Sequence, residues 1–237
     1  MRKRARRFTA GVLVLCLCFA LLASASAGVF RPGSEAEARR QALSLFAFCA
    51  FHPEYSASDS PAQLTRWENE ITLWVGGSPT PEDLETLTAF LSELGEKVPG
   101  LPPVRRVRMD TDAAVRVWFV PDRMLPYYIE DYTGDNWGFF HYDYRRFVIC
   151  SARIGIASDV TDQAERNHLI LEELTGALGL PGDHDVYEDS ILYQGWTTVQ
   201  QLSEVDWRML NLLYSPLLVP GMTEQEALDA LNSEPAD

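Results

Sequence analysis

The stretch Glu172-Glu173-Leu174-Thr175-Gly176-Ala177-Leu178-Gly179-Leu180-Pro181-Gly182-Asp183 decides how this chain is read. It looks like the end of a helix running into a turn. Asp162 and Glu165 have the spacing of a capping box and start the helix; Gly179, followed by Pro181, ends it. On a wheel of about 100° per residue, Ile170, Leu171, Leu174, Ala177 and Leu178 share one arc. His168, Glu172 and Gly176 lie one turn apart on the opposite arc, and Glu173 sits at the flank. The spacing predicts a helix that packs one face on the core and lines a cleft with the other.

Working outward, apolar residues at helical spacing predict a helix over residues 35–51. Thr80 as N-cap and Pro81 at the first helical position predict a second helix, with Leu84, Leu87, Phe90, Leu91 and Leu94 as its stripe. Strands are expected over 71–75, 104–109 and 114–120. A long aromatic loop is expected over 121–136, then a hairpin of strands over 137–142 and 145–156. After the motif helix, a loop over 181–199 leads to helices over 203–214 and 223–232. Helix, strand, helix, several strands and then helices is an α+β order.

The N-terminus carries Arg2, Lys3, Arg4, Arg6 and Arg7, then an apolar run from Phe8 to Ala23, then Ala25-Ser26-Ala27. That is the layout of a Sec-type signal peptide over residues 1–27, with cleavage before Gly28. The apolar run is short of the roughly 20 residues a membrane span needs, so an uncleaved anchor is the weaker reading and no other membrane contact is expected. Residues 28–237 are then one extracytoplasmic domain with its core over about 40–232. Loss of five cations takes the formal net charge from −14 to −19. Such a chain lacks the clustered Lys and Arg that nucleic acid or an anionic membrane requires; its charge suits solubility, or attraction of a cation or a basic peptide. Cys49 and Cys150 remain after cleavage, as a disulfide of an oxidising compartment or as two buried thiols.

His168 and Glu172, four residues apart on one face, have the spacing of a metal-ligand pair for zinc, with His184, Asp183 or Asp185 as a third ligand; the alternative is a simple hydrogen-bonded pair. The acidic run Asp183, Asp185, Glu188, Asp189 lacks the ligand spacing of a calcium loop and reads as a solvated loop. Tyr127, Tyr128 and Tyr132 are candidates to rim a cleft for peptide or carbohydrate, while Phe139 reads as core. No G-x-S-x-G motif supports nucleophilic chemistry.

Glu173-Leu174, Ala177-Leu178-Gly179-Leu180-Pro181 and Asp183 resemble the metzincin segment HELGHALGLPHD. The later Leu202-Ser203-Glu204-Val205-Asp206 and Leu212-Leu213-Tyr214 resemble the last metzincin helix. The resemblance implies a zincin-like fold: a mixed, twisted sheet of about five strands packed against the motif helix, with C-terminal helices. It makes Glu173 the general base, but puts Glu172, Gly176 and Gly182 where the zinc histidines belong. A more specific resemblance is to a bacterial secreted family, domain of unknown function 2927. It rests on Glu172–Thr175, Leu178–Leu180, Asp183, Asp189-Ser190-Ile191-Leu192, Leu212–Pro216 and Pro220-Gly221-Met222; Gly176 departs from that family's usual Gln.

Three functions follow as expectations. The first is a catalytically degenerate peptidase fold that binds a peptide, cell-wall or protein ligand in its cleft, at Gly176, Asp183 and the tyrosines. The second is an active metal-dependent hydrolase with His168, Glu172 and a loop residue as ligands. The third is a structural exported protein.

Overall fold

The computed structural model describes residues 28–53, 62–130, 132, 134 and 136–233; residues 1–27, expected from the sequence to be a signal peptide, lie outside them. The first helix, α1 (Glu35–Phe51), starts at Ser34, whose hydroxyl accepts from the Glu37 N–H. Strand β1 (Ile71–Gly77) leads to α2 (Pro81–Lys97). There the Thr80 hydroxyl and Asp83 carboxylate satisfy each other's backbone N–H in the expected capping box. Next come β2 (Val104–Arg106), β3 (Val115–Val120), a short helix α3 (Leu125–Tyr128), β4 (Gly138–Arg145), β5 (Val148–Ala157) and the motif helix α4 (Gln163–Ala177). Helices α5 (Glu204–Leu213) and α6 (Glu224–Asn232) close the chain. Helices α4, α5 and α6 also start with reciprocal capping boxes. Each cap is worth about 1 kcal/mol, so these helix starts are set locally.

The five strands form one mixed sheet in the order β2-β1-β3-β5-β4. The first four run parallel; β4 is antiparallel to β5 and forms the edge. The β4–β5 hairpin turns at Arg146 and Phe147, with φ of 51° and 65°, the left-handed pair a two-residue turn requires. Ile71, Leu73, Val115, Val117, Phe119, Ile154 and Ile156 are buried with residues of α1, α2, α4 and α5 in one core. On the opposite face of the sheet, α3 brings Leu125 against Val120 and Ala157.

Three expectations need correction. Strand β2 stops at Arg106, so residues 107–109 are not strand, while the turn expected between the two strands forms as a 3-10 turn at Asp110–Asp112. The aromatic loop contains α3, seated on Gly155, where an added Cβ would meet Leu125 and Ile129 at 2.7 Å. The disulfide does not form: Cys49 is fully buried on α1 and Cys150 is exposed on β5, both free. The reason is a β-bulge. Asp143 pairs with Ser151 and Tyr144 with Ile149, so Cys150 is the extra residue that a bulge turns out of the ladder, and Ile149 takes the buried place.

Candidate binding cleft beside the motif helix

Helix α4 is buried almost all round. Arg166, Asn167, His168, Glu173, Thr175 and Gly176 are buried with the leucines; Glu172 is the half-exposed member of the motif. The polar arc predicted to face an open cleft is roofed by the loop before α5. The Val199 carbonyl lies 2.8 Å from His168 Nδ1, and the Trp196 ring lies edge-on to the imidazole, centroids 6.0 Å apart. A network around Arg166 anchors the N-terminal half of α4 to α2. Arg166 Nε donates to Asp83 Oδ1 at 3.1 Å and the Gln163 amide donates to the same atom.

Between α4, β4 and that loop lies a cavity of about 400 Å³. Its floor is the α4 face His168, Glu172, Glu173 and Gly176. One wall is the run from Asn136 to Tyr142 along β4; the other is Asp183 with Leu192 to Trp196. The cleft therefore gathers His168, Glu172, Glu173, Gly176 and Asp183 as expected. Glu172 Oε2 stands 3.4 Å from His168 Nε2. Glu173 is buried and its carboxylate lies over Gly138, where an added Cβ would come within 2.4 Å of Oε1; glycine is what lets the acid reach the strand.

Strand β4 presents its backbone to this cavity. Trp137 O accepts from Ala157 N, and Phe139 and His141 stand opposite Gly155 and Arg153. By antiparallel alternation, the N–H and C=O of Gly138, Phe140 and Tyr142 point away from β5. Among the described residues no strand lies on that side.

Other predicted members are elsewhere. His184 is buried behind the cleft wall, with Nε2 3.0 Å from Ser190 Oγ and Nδ1 accepting from Val186 N. Both nitrogens are engaged, so the ring is neutral, and burial holds its pKa down at about 4. Ser190 donates to Asp206, which also accepts from Ile191 N, Ser203 N and Ser203 Oγ. This knot pins the loop to α5. Tyr127 is exposed, Tyr128 stacks on Trp118 at 4.4 Å, and Tyr132 donates to the Asn136 carbonyl; none of the three lines the cavity. Its aromatic walls include Trp137, Phe140 and Tyr142 on the β4 side and Tyr193 and Trp196 opposite; sequence reasoning missed the last two because they sit in a loop without periodicity.

The donor set does not fit a zinc centre of the metzincin type. At Gly176 an added Cβ would strike the Phe140 ring at 2.3 Å, and at Gly182 it would meet the His52 carbonyl oxygen at 2.4 Å. The space two ligand side chains would need is filled by a ring and by the end of α1. Nor does His184 join His168 and Glu172: among the described residues no three His, Cys, Asp or Glu side chains are grouped to hold a metal ion.

Comparison with known proteins adds the following. No curated protein matches the chain. Two solved structures of myroilysin are similar at 14% identity and a TM-score of 0.40. One match covers 64% of this chain and 83% of that one, the other 79% and 100%. The profile of the proteins of unknown function DUF2927 matches residues 39–233, and the chain belongs to that family.

Proposed function

We propose that this is an exported binding domain without hydrolytic activity, and that it takes an extended polypeptide along β4 in the cleft beside α4. The observation that carries this reading is the outward-pointing backbone of Gly138, Phe140 and Tyr142 running along a closed-in cavity. An edge strand of this kind takes a further strand by main-chain hydrogen bonds, while alternate side chains of the guest enter pockets. The cavity lies on the inner face of the sheet, under Phe140 and Tyr142, so every second guest side chain reaches the α4 floor. Glu173 is in reach of such a guest. With the two ligand places filled, it has no metal-activated water to act on.

The test is titration of extended peptides into the isotope-labelled mature domain. Amide shifts confined to Gly138, Phe140, Tyr142 and the α4 floor are expected. N-methylation of alternate guest residues, which removes their donors, should abolish binding. Turnover of a peptide that disappears in Glu173→Gln and in chelator would overturn the reading.

A further inference from the structure

We infer that Gly28-Val29-Phe30 is a positioning strap for the wall of the cleft, and that processing of the chain must leave these three residues on the mature domain for the cleft to form. The part the wall plays in binding rests on the groove reading above. Residues 181–199 form neither helix nor strand, yet they carry Asp183 and the run from Leu192 to Trp196 that faces β4 across the cavity. An irregular connection longer than roughly 12–15 residues is unusual, and it keeps a single shape only where other segments hold it. The Asp206 knot holds the middle of this one, at Ser190 and Ile191. The strap holds the stretch before it, from Val186 to Asp189.

The strap lies parallel to the loop, with Gly28 opposite Tyr187. Gly28 N donates to the Val186 carbonyl and Glu188 N donates to the Gly28 carbonyl, each at 2.9 Å. Two residues on, Phe30 N donates to Asp189 Oδ1 at 3.0 Å. Val29 is exposed and Phe30 buried, the alternation of a strand. The Phe30 ring joins the main core and meets Tyr187 edge-on, centroids 5.2 Å apart, so the strap ties the loop to the core. The loop relays that hold to the wall. Tyr187 stands edge-on to His184 at 6.3 Å. His184 N donates to the Leu192 carbonyl at 2.9 Å, and Gln194 N donates to the His184 carbonyl at 2.8 Å. The segment that accepts the strap therefore also sets Leu192, Tyr193 and Gln194 against the cavity. Helix α1 starts only at Glu35. A cut before Gly28, the boundary read from the sequence, leaves the strap whole; a cut three residues later would spare every helix and strand and remove the strap alone.

The experiment compares two chains freed from a removable leader so that no extra residue remains, one beginning at Gly28 and one at Arg31. Amide hydrogen exchange is followed at three places. Loss of protection at Glu188 marks the removal of the strap. His184 and Gln194 report the wall, and both are expected to exchange at least tenfold faster in the shorter chain. Ile170, Leu171 and Leu174 of α4 should keep their rates. A peptide that binds the longer chain should bind the shorter one at least tenfold more weakly. Asp189→Ala in the longer chain removes one strap bond and keeps the residues; it should move His184 and Gln194 the same way by a smaller factor, and it decides the matter if the shorter chain does not fold. Unchanged exchange at His184 and Gln194 overturns the inference. Acceleration of α4 by the same factor also overturns it, by making the strap a general support of the fold. A loosened wall with unchanged peptide affinity upholds the strap and overturns the part given to the wall in the groove.

Discussion

His184 belongs to the loop before α5 and His168 lies beneath that loop, and the two show two ways of holding a buried imidazole. Both are buried beside carboxylates. His184 is closed off: its two nitrogens are satisfied by Ser190 and by a backbone N–H, and Ser190 passes on to Asp206. His168 is held on one side by Val199 and on the other stands 3.4 Å from the partly buried carboxylate of Glu172, beside it on the floor of the cavity. A polar group that is buried and closed off from any cavity serves the fold; one that pairs with a carboxylate on a cavity floor is within reach of whatever enters.

The sharpest way to break this contrast is Asp206→Ala. It strips the acceptor from two backbone N–H groups and two hydroxyls, each buried orphan costing about 1–3 kcal/mol. Urea unfolding should show a loss of at least about 3 kcal/mol; a smaller loss would mean the knot is not what holds the loop. Acid should attack the same place. The folded His184 pKa of about 4 lies below the ordinary value of 6.5. Between those values the unfolded chain binds a proton the folded chain refuses, so stability is complete above about pH 6.5 and declines toward pH 4. The size is roughly 2–3 kcal/mol. Asp206, raised by its burial, works in the opposite sense closer to the ordinary carboxylate range. Unfolding curves at pH 7 and pH 5 for the parent and for His184→Gln should show the decline in the parent alone.

At the cleft, Gly176→Ala should cost about 1–3 kcal/mol through its collision with Phe140, against the gain of up to about 1 kcal/mol that alanine normally brings to a helix. Phe140→Leu in the same chain should recover much of the loss, which a thermal-melt cycle would measure. Glu172→Gln should change stability by less than about 1 kcal/mol, since its carboxylate is partly exposed and stands as far as 3.4 Å from His168 Nε2; a loss as large as that of Asp206→Ala would erase the distinction between the two histidines. The smallest effect is chemical. A chain expressed without residues 1–27, which carries Cys49 and Cys150 alone, should take up one equivalent of thiol reagent, at exposed Cys150, and a second after denaturation. Cys49 is buried, and burial together with Asp183 and Asp206 raises its pKa well above normal.

Much of this was legible without coordinates. The capping boxes at Thr80 and Asp162, the stripe of α2 and the limits of α1 follow from neighbours in sequence, and the structure keeps them. Gathering His168, Glu172, Glu173, Gly176 and Asp183 at one cleft also followed from helical spacing and the turn at Gly179. The cleft's tyrosines were misplaced, because loop aromatics carry no period from which to read a direction. His184 reads as a ligand in the sequence because its partner Ser190, and the Asp206 that Ser190 serves, come together only when the loop folds back on α5. The disulfide failed on a single-residue bulge, which inverts the facing of Cys150 and Ile149 without leaving any mark in composition.

The sequence by itself determined the helices, their starts, the α+β order and the absence of histidines from the metal positions, because caps and periodicities are local interactions. Only the tertiary structure decided that those positions have no room to be refilled. Phe140 comes to Gly176 from β4, and His52 comes to Gly182 from the end of α1. Such close packing between segments far apart in the chain is set by how sheet and helices meet, which no local pattern encodes.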